Sequence, residues 1–201
     1  MDPADLKNFE DLRVQILDAA EERMSVYGYG KTTMAEIAKD SNMSAANLYR
    51  YFKNKQDIAA ACAVRCMTEQ QDAMRELVRQ EFPGAAEKLR AFVLEGLKRT
   101  HEMYVDQPRI NELVEFITSE RQELVYQKMQ TQHALITEIL VQGNQSGEFD
   151  IADVVTTARA VQSALVKFNV PIFMPLYPID EFISMANEVV DLMLLGLQKR
   201  T

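Results

Sequence analysis

Apolar residues recur along this chain at intervals of three and four, the period of an amphipathic helix, and no run alternates as a strand would. Phe9, Leu12, Ile16, Ala20, Met24 and Tyr27 form the first such stripe and predict a helix from about Asn8 to Tyr27. "YGYGK" ends it, because Gly28 and Gly30 can adopt the backbone angles that stop a helix. Thr33 and Glu36 have capping-box spacing, so a short helix should start at Thr33, take small apolar contacts from Ala35, Ile37 and Ala38, and stop near Asp40. Ser41-Asn42 reads as a turn, with Asn42 tolerant of a left-handed backbone. Ser44 can cap a second short helix reaching about Tyr51. Asn54, with Asp57 three residues on, should open a long helix from about Lys55 to Gln80.

After Phe82-Pro83-Gly84, four or five further helices are expected, near Ala85–Asp106, Pro108–Thr118, Ser119–Gln142, Ile151–Phe173 and Ile179–Lys199. "GNQSGEFD" and "PIFMPLYPID" are the clearest breaks. The fold class is therefore all-α. Residues 1–54 are expected to form a three-helix helix-turn-helix domain, in which the second short helix would lie in the major groove of DNA. Residues 55–201 are expected to form a helical regulatory and dimerisation domain.

Composition supports helix: the 201 residues include only 7 Gly and 6 Pro, and a 47% hydrophobic fraction supplies a core. Cys62 and Cys66 share one helical face but have no second pair or neighbouring His, so buried thiols are expected, with no metal and no cofactor. The acidic N-terminus lacks the apolar core of a signal peptide, and Val189–Leu197 is too short to span a membrane. A cytoplasmic protein is expected.

A net charge of −8 argues against general affinity for nucleic acid. Charge is unevenly placed, however. Residues 1–60 carry 8 basic and 10 acidic side chains, against 14 and 20 in the remainder, and their bases cluster from Lys31 onward. "MSAANLYRYFKNKQD" holds Arg50, Lys53, Lys55 and two tyrosines against the single acid Asp57. Local charge decides phosphate contact, so a DNA site is compatible with an acidic chain.

"ILDAAEERMSVYGYGKTTMAEIAKDSNMSAANLYRYFKNKQDI" resembles the N-terminal domain of TetR-family transcriptional regulators. The resemblance is carried by Ala19-Ala20 before Gly28, Thr32-Thr33, Ile37-Ala38, Ser44, Leu48-Tyr49, Tyr51-Phe52 and Lys55, in order and spacing. Asn42 stands where the family usually has Gly, and Asn can adopt the same turn. The later helices match the family only in number, length and the "GEFD" turn.

Ser44, Ala45, Ala46 and Asn47 would form the first turn of the reading helix, where side chains meet base edges. Asn47 suits adenine and Arg50 suits guanine, each in bidentate fashion, while the alanines allow close approach. Tyr49, Tyr51, Lys53 and Lys55 suit phosphates, as does Thr33 at the other helix start. The resemblance implies the same division for Thr33, Tyr49, Tyr51 and Lys55. The competing reading is that "LYRYF" only packs and the lysines are solvated; Leu48 and Phe52 are core residues on either reading.

A single short helix reads little sequence, so a homodimer on a two-fold operator is expected. The last helix is apolar nearly all round from Val189 to Leu197, which suits one face on the core and another on a partner. The preceding helix offers Val154, Val155, Ala158, Val161, Ala164, Leu165 and Phe168. The resemblance implies a four-helix interface from the last two helices of each subunit. His101, Met103, Tyr104, Phe116, Tyr126, Met129, His133 and Phe168 are candidates to line a small-molecule pocket, with simple core packing as the alternative. The resemblance further implies a repressor released from its operator by that small molecule. Two rivals stand beside it. One is an enzyme, for which no phosphate loop, nucleophile elbow or His/Cys cluster is found. The other is a DNA-binding adaptor with a protein partner and a solid body.

Overall fold

A computed structural model describes residues 3–199. Among them are nine α-helices: α1 (Pro3–Tyr27), α2 (Met34–Asp40), α3 (Ala45–Leu48), α4 (Lys55–Arg79), α5 (Ala85–Asp106), α6 (Ile110–Glu120), α7 (Gln122–Ser146), α8 (Val154–Ala164) and α9 (Ile179–Leu197). Among the described residues there is no strand, only an isolated antiparallel bridge between Phe149 and Gln198. The all-α class is as expected.

Capping chemistry places the small N-terminal helices. Thr33 Oγ1 accepts from the Glu36 amide at 3.3 Å, and Glu36 Oε2 accepts from the Thr33 amide at 3.0 Å, a complete capping box for α2. Ser44 Oγ caps α3 by accepting from the Asn47 amide at 3.2 Å. Between the two helices Asn42 takes φ +54°, the left-handed value that its position in the turn requires. Asn54 Oδ1 accepts from the Asp57 amide at 2.8 Å and opens α4.

Three boundaries depart from the sequence pattern. α1 begins at Pro3, ahead of its apolar stripe, because proline suits the first helical turn and the residues from Asp5 to Asn8 are exposed. α3 is a single turn, continued to Phe52 by hydrogen bonds from the Arg50 amide to the Asn47 carbonyl and from the Tyr51 and Phe52 amides to the Leu48 carbonyl. The helix expected over 151–173 is broken. Asp153 caps a later start, its Oδ1 accepting from the Thr156 amide at 3.0 Å. Beyond Leu165 the chain forms 3₁₀ turns at Val166–Phe168 and Pro171–Leu176, and Val170 is held extended by the proline after it.

The chain forms two compact units. The first runs up to Met67 and includes Asp106–Leu124; the second holds Thr68–Val105 and the chain from Val125. The expected division at residue 54 was one of chain segments, whereas these units share α4 and place α6 with the N-terminal helices. The first unit buries Ile16, Ala20, Met24, Ile37, Leu48, Phe52 and Ile58. The second buries a core that includes Leu89, Phe92, Leu97, Ile136, Ile139, Leu140, Leu165, Phe182 and Val190. Gly143 on α7 lets the "GEFD" turn fold back, since a Cβ there would fall 2.1 Å from the Phe149 ring.

Candidate nucleic-acid interface and internal cleft

The first unit presents α3 and the turn after it with little of their polar surface used. Ala45 and Ala46 are exposed, Asn47 is half-buried, and Tyr49 is 54% exposed. Arg50 and Lys53 are exposed and form no ion pair among the described residues. Leu48 and Phe52 are buried beneath them, so this surface rests on a fixed base. The Arg13 guanidinium covers the Phe52 ring at 4.6 Å. Ser44 and Thr33 are exposed but committed as caps; Thr33 Oγ1 also lies 2.8 Å from Glu36 Oε2, which holds the Glu36 carboxyl below its usual range.

Two residues are less free than the sequence suggested. The Tyr51 ring stacks on Phe9 with centroids 4.7 Å apart. The Lys55 ammonium donates to the Tyr29 carbonyl at 2.8 Å and sits 4.3 Å above the Tyr29 ring. Its first task is therefore to hold the turn between α1 and α2. An ammonium has three donors, so capacity for a phosphate remains.

The same turn is held from the other side by α6. The Gly30 amide donates to Glu112 Oε2 at 3.1 Å, Arg109 Nη1 donates to Glu112 Oε1 at 2.9 Å, and Phe116 stacks on Tyr29 at 4.6 Å. Gly28, at φ +87°, leaves the space that the carboxylate fills, since a Cβ there would fall 2.4 Å from both carboxylate oxygens. The Gly30 amide and then Arg109 hold the Glu112 carboxyl below its ordinary value. Its contribution is thus fully present above the unfolded value of about 4.3 and is lost as pH falls through the lower folded value. Nothing in the sequence marked Glu112.

In the second unit α4, α5 and α7 line a small, partly open cleft with about 50 Å³ of enclosed space. Gln70, Gln71 and Met74 line it from α4, Phe92, Gly96 and Arg99 from α5, and Lys128, Gln132 and Leu135 from α7, with Asn169 closing one side. None of the eight sequence candidates lines this cleft. Phe168 is core, edge-on to Phe182 at 6.3 Å. Phe116 belongs to the first unit. Tyr104 packs on the core, while His101 and Met103 are half-buried on α5. Tyr126 and Met129 are exposed, and the His133 Nε2 is 3.1 Å from the Val155 carbonyl oxygen. Among the described residues no cluster of His, Cys, Asp or Glu could hold a metal, and no helix is long and apolar enough to cross a membrane. Burial raises the Cys62 thiol far above its usual range.

Ala158, Val161, Leu165 and Phe168, offered for the dimer interface, are buried in the subunit's own core. What α8 exposes is Val155 with Thr156, Arg159, Ala160, Ser163 and Ala164. α9 buries Phe182, Ala186, Val190, Leu194 and Leu197, and exposes Leu192 and Leu195, each at 71%.

Two family models cover most of the chain: bacterial regulatory proteins of the tetR family over residues 16–62, and the tetracyclin repressor-like C-terminal domain over 85–190. The fatty acid metabolism regulator protein of Bacillus subtilis is 24% identical over 191 residues, covering 93% of this chain and 96% of its own. The regulator QacR of Staphylococcus aureus is 26% identical over 198 residues, covering 94% of this chain and 100% of its own. FadR of B. subtilis, solved in complex with stearoyl-CoA, shares the fold with a TM-score of 0.68 at 22% identity, over 91% of this chain and 98% of its own. With a capped helix-turn-helix at one end, a helical body at the other and both halves matched, this chain belongs to the TetR family: it is a transcriptional regulator, not an enzyme.

Proposed function

We propose that this regulator is a cytoplasmic repressor that binds a palindromic operator as a homodimer and leaves it when a small molecule occupies the cleft of the second unit. The observation that carries the reading is the row of exposed Ala45, Ala46, Tyr49, Arg50 and Lys53 with half-buried Asn47, set on a buried base and free of ion pairs among the described residues. Residues at the start of the helix read base edges, and the tyrosine and lysine engage phosphates. Thr33, Tyr51 and Lys55 flank them. The Tyr51 hydroxyl and the Lys55 ammonium donors left after its internal contacts complete the phosphate grip, while the Thr33 hydroxyl is given to Glu36.

The exposed leucines of α9 and the small outward residues of α8 suit a second copy of the same helices. Small residues let helices approach closely, and burying a leucine stabilises by about 1.5–3 kcal/mol. The cleft is the place in the second unit where a small molecule would enter, whereas the adaptor reading leaves it closed. FadR, of the same fold, holds stearoyl-CoA.

The chain passes between the two units three times: within α4 after Met67, before α6 and after Leu124. All three cleft-lining helices therefore continue, or lead directly, into the unit that carries the reading helix. A ligand that prefers one arrangement of those helices over another shifts the population of heads set for both half-sites. Glu112 and Phe116 transmit that shift to the Tyr29 turn.

Substituting Tyr49 tests the DNA-facing surface. Tyr49→Ala removes an exposed ring that supports no core, so the protein is expected to remain a folded dimer. Affinity for duplex operator is expected to fall roughly tenfold, measured by fluorescence anisotropy at fixed salt. Unchanged affinity contradicts the phosphate role.

A further inference from the structure

Most arginines of this acidic chain are committed to a carboxylate; among the described residues Arg13, Arg50 and Arg159 form no ion pair. Arg50 already belongs to the DNA-facing row. Arg13 lies on α1, four residues after Phe9, so the two side chains project from one face of the helix. Each meets one of two consecutive residues beyond α3: the Phe9 ring stacks on Tyr51 at 4.7 Å, and the Arg13 guanidinium lies over Phe52 at 4.6 Å. Arg13 is thereby held against the segment that carries Tyr51 and Lys53. It is half-buried, yet none of its nitrogens is a buried atom without a partner, so those that lack one reach solvent.

A guanidinium laid flat on a ring keeps its N–H edge free in the plane, and the ring limits the directions that edge can take. Covering Phe52 needs only a long apolar stem and no charge. A cation left without a carboxylate beside two phosphate-facing side chains, in a chain of net charge −8, answers an anion from outside the chain. We infer that Arg13 is a further contact to the operator phosphates, made from α1, with Phe52 as the platform that orients its guanidinium. The inference rests on the reading of Tyr49, Arg50 and Lys53 as the DNA-facing surface. It extends the phosphate grip from the reading helix and the turn after it to the first helix. The contact positions the head and reads no base.

The test uses the purified full chain on two labelled duplexes, one enriched by the parent protein from a random library and one of unrelated sequence, titrated by anisotropy over a range of salt. Arg13→Met keeps a long apolar cover on Phe52 and removes the charge. It is expected to melt as the parent does, to bind both duplexes roughly tenfold more weakly, and to lower the slope of log affinity against log salt by about one per subunit. Arg13→Lys restores the charge without the planar fork, so it is expected to regain the slope and only part of the affinity. A role in packing alone gives Arg13→Met the slope of the parent, and that result overturns the assignment. So does an Arg13→Lys protein whose slope falls below the parent's by about one per subunit. A parent protein that enriches no duplex and binds neither overturns the DNA-facing reading and the inference with it, whereas a parent that binds and an Arg13→Met variant that keeps its slope remove Arg13 alone.

Discussion

The double substitution Leu192→Glu/Leu195→Glu is expected to yield a folded monomer whose operator affinity has fallen by at least ~100-fold. Both side chains are 71% exposed in the subunit, so two glutamates there disturb no contact of its core. In a dimer the same positions would be desolvated, and an unpaired carboxylate in an apolar interface is strongly unfavourable. Loss of the dimer separates the two heads, and the gain from engaging both half-sites at once disappears with it. Sedimentation and anisotropy check the two consequences, and circular dichroism checks the fold. A folded, operator-binding dimer after both substitutions would contradict the interface. Leu194, which the apolar run makes equally eligible, is a poor choice for this test because it is buried with Phe182, Ala186 and Val190 in the subunit's own core.

Arg50→Ala should have the next largest effect, and of a different kind. Arg50 is exposed, forms no ion pair among the described residues and lies one turn along from Ala46. If it reads guanine in bidentate fashion, its loss costs about 1–3 kcal/mol on the true operator. That corresponds to a drop of roughly 5- to 150-fold, with much less change on a duplex altered at that base pair. Lys53→Ala, in contrast, is expected to weaken all duplexes alike and to lower the salt slope by about one. Competition titrations with single-base operator variants separate the two patterns. An Arg50→Ala protein weakened equally on every duplex would move Arg50 to the phosphates.

The N-terminal unit was legible because its signals are local. Thr33 with Glu36, Ser44, Asn42 and Asn54 each act within three or four residues, and each does in the structure what its spacing requires. Long-range contacts were not legible. No local rule says that Glu112 will fill the space beside Gly28, or that the Lys55 ammonium will turn inward to the Tyr29 carbonyl. The cleft shows the limit most sharply. Met129, His133 and Phe168 were singled out by residue type, yet their neighbours Lys128, Gln132 and Asn169 face the cleft. One residue turns a helical side chain through about 100°, and the apolar pattern does not fix a wall to that precision when the wall itself is polar. The same reasoning applies to the helix before α9, whose Ala158, Val161 and Leu165, offered for the dimer interface, lie in the subunit's own core. Apolar periodicity marks the buried face of a helix, and cannot by itself say whether a partner or the subunit's own core covers it.

The central claim is that this acidic chain reads DNA sequence as a two-headed protein. Selection of bound molecules from a random duplex library, at about 0.15 M salt, tests it most directly. The account predicts enrichment of a palindrome whose half-sites lie roughly one helical turn apart. Recovery of sequences with no common element would contradict it.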